Sequence, residues 1–140
     1  IFIVYLKITM NNKLDKILAE ISAGELFDKI TILEIKKTKI NEGEKLKDVE
    51  KELSSLNDTL KTTIADTSEV QELIDKLKSI NLKLWDIENE KRLAEKNNDF
   101  GKNFIELARS VYKTNDERSK IKLEINNLLG SNIKEVKSHY

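Results

Sequence analysis

From Val70 to Ala94 apolar residues recur at alternating three- and four-residue steps: Val70, Leu73, Leu77, Ile80, Leu84 and Ile87, then Lys91 and Ala94. A seam held for more than three heptads is the mark of a long helix packed lengthwise on another helix. The sequence contains no Pro to interrupt it. A partner follows in "FIELARSVYKTNDERSKIKLEINNLLG", where Phe104, Leu107, Val111, Ile121, Ile125 and Leu128 form a second seam. The turn "NNDFG" separates the two, so they read as a hairpin of helices, each roughly 40 Å long at 1.5 Å per residue.

Two further helices precede the hairpin. In "SAGE", Ser22 takes the N-cap position with Glu25 three residues on, the capping-box pattern. Leu26, Ile30, Leu33 and Ile40 make one stripe of helix 1, and Phe27, Ile32 and Ile35 widen it beyond a normal amphipathic face. Such a helix must touch more than one neighbour. Gly43 in "NEGE" reads as its break. Helix 2 spans about Glu44 to Ile64, with Leu46, Val49, Leu53, Leu56 and Leu60 at helical steps. Asp66, with Glu69 three positions on, offers a cap for helix 3 over Ser68–Lys96. Helix 4 runs from about Lys102 to a capping Gly130. The expected fold is all-α: an antiparallel bundle of four helices with a long coiled-coil-like hairpin from helices 3 and 4. Residues 1–21 form an N-terminal arm, 22–130 the single helical domain and 131–140 a polar, extended C-terminal tail.

Composition removes several functions. Cys is absent and the one His is His139, which argues against thiolate chemistry, His catalysis and the usual metal sites. No cofactor is expected. Lys plus Arg equals Asp plus Glu at 25 each, so no general positive field would hold a nucleic acid. The apolar run "IFIVYLKIT" before Met10 is too short to span a bilayer and lacks the marks of a secretory signal. It reads as an over-extended reading frame starting properly at Met10, with a short strand or a partner-binding arm as the alternative. No membrane association is expected, and a cytoplasmic location is.

The seam of helix 4 turns polar at Thr114, Asn115 and Arg118. If the hairpin closes near Asn98–Asp99, Asn115 lies level with Trp85, Arg118 with Asn81 and Leu82, Tyr112 with Glu88, and Arg109 with Lys91 and Arg92. Helix 3 carries Asn81, Trp85, Glu88 and Arg92 on one face, so the polar gap meets the only Trp and all three Arg of the chain. One reading is a register-fixing polar interruption, with Glu88 and Arg92 as an i,i+4 pair. The other is a ligand or partner site built from Trp85, Glu88, Arg92, Arg109, Tyr112, Asn115, Asp116 and Arg118, in which arginines take an anion and aromatic rings supply flat walls.

The stretches "ISAGELFDKITILEIKKTKI", "NLKLWDIENEKR" and "FIELARSVYKTNDERSKIKLEINNLLGS" resemble a family of short bacterial proteins known only as a domain of unknown function. The matching residues include Gly24, Glu25, Asp28, Lys29, Thr31, Trp85, Glu88, Arg109, Tyr112, Asn115, Asp116 and Arg118. The likeness covers about Ile21 to Tyr140. His139 before Tyr140 departs from the pattern, and the first nine residues have no counterpart. The resemblance implies a helical, cytoplasmic protein linked to surface-polysaccharide metabolism and supplies no reaction. "ELFDKITILEIKKTKI" is also similar to the first helix of helical chorismate mutases, but it holds only Lys29, Lys36 and Lys39 near the places where that class uses cations. Lysine lacks the bidentate fork for a dicarboxylate.

The sequence therefore reads as a non-enzymatic helical interaction or assembly protein, self-associating through helix 1 or the outer face of helix 2. A dimer is the first expectation, with an unidentified protein partner besides. The alternative is a small-anion or sugar-phosphate binding protein or enzyme using the Arg/Trp/Tyr cluster.

Overall fold

A computed structural model describes residues 13–139. The apolar run 1–9 and Tyr140 lie outside the described residues, and so do the readings attached to them. Four helices follow in order: α1 (Ala23–Lys39), α2 (Gly43–Thr63), α3 (Ser68–Lys96) and α4 (Lys102–Leu129). The described residues contain no strand, and none of their helices is long and apolar enough to cross a membrane.

The helix ends follow from local chemistry. Ser22 caps α1, its hydroxyl accepting the Glu25 N–H at 3.0 Å. Only this half of the capping box forms, because the Glu25 carboxylate turns to Lys122 on α4 at 2.6 Å. Two expected boundaries are corrected. Gly43 does not end α1: the helix stops at Lys39, Ile40 is extended, and Gly43 is the first residue of α2. The cap of α3 is Thr67, not Asp66. A capping oxygen must come from the residue just before the first helical one, and the Thr67 hydroxyl accepts the Val70 N–H at 3.3 Å. Gly130 ends α4 in the left-handed region at φ 62°, as a glycine there does at little steric cost.

The packing departs from a ring of four helices. α1 packs against α2, α3 and α4 together, whereas α2 runs along α1 and not along the other two helices. α3 and α4 pack closely along each other. The wide apolar face of α1 is thereby divided. Leu26, Ile30 and Leu33 meet Val49 and Leu53 of α2 in one core cluster. Phe27 joins Val70 and Leu77 of α3 and Ile125 of α4 in a second. The side chains of Leu60 and Ile64, at the end of α2, pack against both. The apolar residues of α1 are thus taken up by the chain's own core. Leu128, expected in the helix 4 seam, is exposed, and Leu129 packs on the core instead.

α1 reaches α4 closely at one point. A Cβ on Gly24 would lie 2.5 Å from the Lys122 carbonyl oxygen and 3.0 Å from Asn126 Oδ1. Only glycine allows this approach, and its own N–H donates to Asn126 Oδ1 at 2.6 Å. Gly43 has nothing within 4 Å of the same position. Gly24→Ala should therefore destabilise the fold by about 2–3 kcal/mol through overpacking against backbone, while Gly43→Ala should be neutral or stabilising by about 0.5 kcal/mol. Urea unfolding of the two variants checks both signs.

Candidate functional site

The polar gap of α4 connects through Asn81 of α3 to buried polar residues of α1. Asp28 and Thr31 lie within the apolar sweep of that helix and are buried, as is Asn81 of α3. The Asn81 amide nitrogen donates to Asp28 Oδ1 at 2.8 Å and to Thr31 Oγ1 at 3.0 Å. The Thr31 hydroxyl donates to the Asp28 carbonyl at 3.0 Å. The Asn81 amide oxygen accepts from Arg118 Nη1 at 3.3 Å, which meets the register expected for the hairpin. Arg118 Nη2 donates to Asn115 Oδ1 at 2.7 Å. Lys122 Nζ sits 3.5 Å from Asp28 Oδ2, completing the carboxylate's surroundings. No fully buried side-chain nitrogen or oxygen among the described residues lacks a partner.

Beside this network a cleft of about 480 Å³ opens along α3, bordered by α1 and α4. Its lining includes Ile32, Leu84, Trp85, Glu88, Arg92 and Arg118. The structure thus brings together four of the expected site residues: Trp85, Glu88, Arg92 and Arg118. Asn115 adjoins them through its bond to Arg118. Asp116 does not, and pairs instead with Lys137 of the tail. Arg109 and Tyr112 are exposed on α4 and do not line the cleft. Glu88 pairs with Lys91 at 3.4 Å rather than with Arg92. Among the described residues no three His, Cys, Asp or Glu side chains converge to hold a metal ion.

A second polar centre, not anticipated from the sequence, lies at the N-terminus of α1. The tail, which has no regular secondary structure over 131–139, folds back onto it. The Ala23 N–H donates to Ser131 Oγ at 3.1 Å, and that hydroxyl donates to the Ile133 carbonyl at 2.7 Å. The Ser22 hydroxyl donates to one Glu135 oxygen, and the Asn126 amide donates to the other at 3.3 Å. The first N–H groups of α1 are all engaged by protein oxygens, which leaves no donor there for an external anion. Burial pushes the Glu135 carboxyl up, but hydrogen bonds from Ser22, its own backbone N–H and Asn126, with the Lys122 ammonium nearby, outweigh it and hold the group below its ordinary value. Behind the tail a groove of about 830 Å³ runs along α4 past Ser119, Lys120 and Leu123, walled by Lys134, Val136 and His139.

Two outcomes follow. Asn81→Leu should cost about 3 kcal/mol in urea unfolding, because Asp28 and Thr31 lose a buried donor; a change within about 1 kcal/mol would show that the network does not hold the fold. Glu135 has a native pKa below its unfolded one, so its contribution is present above the ordinary glutamate pKa and is lost as the pH falls through the lowered native value. Glu135→Gln should remove that part of the acid dependence, seen as a flatter urea midpoint against pH.

No curated protein and no solved structure matches the chain. Residues 17–140, which span the four helices, the buried Asp28–Thr31–Asn81–Arg118 network and the docked tail, match DUF6165, a family of unknown function, and the chain belongs to that family.

Proposed function

We propose that the protein is a non-enzymatic helical assembly module that self-associates through its N-terminal arm, displayed on an antiparallel bundle whose α3–α4 hairpin packs in coiled-coil fashion. The observation that carries the reading is the exposure of the arm. Leu14, Ile17 and Leu18 are 77%, 81% and 88% exposed, and Ile21 is 40% exposed. The segment has no regular secondary structure, yet its four aliphatic residues recur at i, i+3, i+4 and i+7. A helix formed here would gather them on one face. Each such side chain gains about 1.5–3 kcal/mol on full burial, so a partner that covers the arm is strongly favoured. A second copy satisfies this requirement without a further component, and the arm sits next to α1 without taking part in the chain's own core clusters. Within the same reading the protein works in the cytoplasm, on the strength of its sequence alone. The polar network supports a structural rather than catalytic part for the interior, since its groups bond to one another.

Sedimentation at micromolar concentration tests this. The wild type should run as a dimer or larger species. A Leu14→Ser, Ile17→Ser, Leu18→Ser variant should run as a monomer with unchanged helicity and urea midpoint. A monomeric wild type overturns the proposal, and so does a variant that associates as the wild type does.

A further inference from the structure

Arg118 is held in an unusual way for a half-buried guanidinium. Its two terminal nitrogens each give one N–H to a neutral amide oxygen, those of Asn81 and Asn115. Neither partner carries charge. Among the described residues none of the ion pairs involves Arg118 or Arg92. The amides fix the plane of the Arg118 fork without supplying a counter-charge, and among the described residues its Nε–H and one N–H on each terminal nitrogen take no further hydrogen bond. The same side chain lines the cleft, with Arg92 on the rim and Trp85, Ile32 and Leu84 as apolar wall. The cleft's one carboxylate, Glu88, has its charge met by Lys91. The lining as a whole is therefore short of negative charge.

We propose that this cleft binds a small organic anion, its carboxylate or phosphate forked by Arg118 and approached by Arg92, its flat or apolar body laid against Trp85. A planar guanidinium pinned by neutral acceptors suits bidentate capture of an oxyanion, because the side-chain entropy is already lost before the ligand arrives. The volume, about 480 Å³, falls in the range of small-molecule sites. Glu88 and Asn89 stand on the same lining and can accept from hydroxyl or amine groups of the ligand. This site is independent of the assembly reading: a protein that stays monomeric can still bind the anion.

The chain has one Trp, so its single indole N–H resonance reports on the cleft without ambiguity. The full-length protein is titrated with benzoate, with phenyl phosphate, and with phenol as the uncharged control. Saturable shifts of the Trp85 indole with benzoate or phenyl phosphate, and none with phenol, are expected; which of the two saturates at lower concentration identifies the anionic group. Arg118→Lys keeps the charge and loses the fork, and should weaken binding about tenfold or more. Arg92→Gln lies on the exposed rim, should leave the unfolding midpoint unchanged, and should weaken binding about threefold or more. Absence of saturation by either anion up to about 20 mM overturns the proposal. Saturation that persists unchanged in both variants also overturns it, since the ring alone would then be responsible.

Discussion

The amide of Asn81 is the group on which the arrangement of the helices depends. It donates to two residues of α1 and accepts from one of α4, so a single side chain of α3 ties three helices at one level. An apolar seam of Leu and Ile tolerates a slip of one heptad, because every position offers the same kind of surface. A buried amide with three partners does not, since any other register leaves a carboxylate and a hydroxyl without their donor. The hydrophobic contacts supply the bulk of the stabilisation, and the amide selects among the ways of making them.

That selection explains why α1, rather than the longer hairpin, is the centre of the molecule. Its apolar residues are divided between α2 on one side and α3 with α4 on the other, while Asp28 and Thr31 bond to Asn81 of α3. Gly24 and Asn126 then fix its start against α4, and the tail closes over that start through Ser131 and Glu135. Glu135 places a carboxylate where the partial positive charge of the helix N-terminus favours one. α1 is thus held by apolar contacts along its length and by polar contacts at its middle and its beginning.

Much of this was legible in the sequence. The apolar seam of α3, the cap at Ser22, the end at Gly130 and the meeting of Arg118 with Asn81 all carry local or periodic signals, and the helix limits agree closely with them. The exceptions have physical causes. Gly43 looks like a terminator by type but adopts an ordinary conformation, because positive φ occurs at no described glycine except Gly130. Asp66 is by residue type a better cap than Thr67, but the cap must immediately precede the helix, and the helix starts at Ser68. The candidate site was half visible. Trp85, Glu88, Arg92 and Arg118 share a cleft because they follow one face of α3 and the level register of α4. Arg109 and Tyr112 stay on the exposed surface of α4. Asp28 and Thr31 carried a signal in being polar within an apolar helix, whereas the tail contacts carried none, because an extended polar segment has no periodicity to read.

The meeting of Ser22 with Glu135 and of Ala23 with Ser131 joins residues more than a hundred positions apart. In topological terms the helical core is a nearly closed ring: the chain leaves α4 beside the place where it entered α1. The order of the helices is then separable from their arrangement. A chain cut in the exposed turn at Asn98–Asp99, with its tail linked to the start of α1, would carry the same four helices and the same Asn81 hub in a different sequence order. A fold held by such a hub is defined by which side chains meet, not by where synthesis begins.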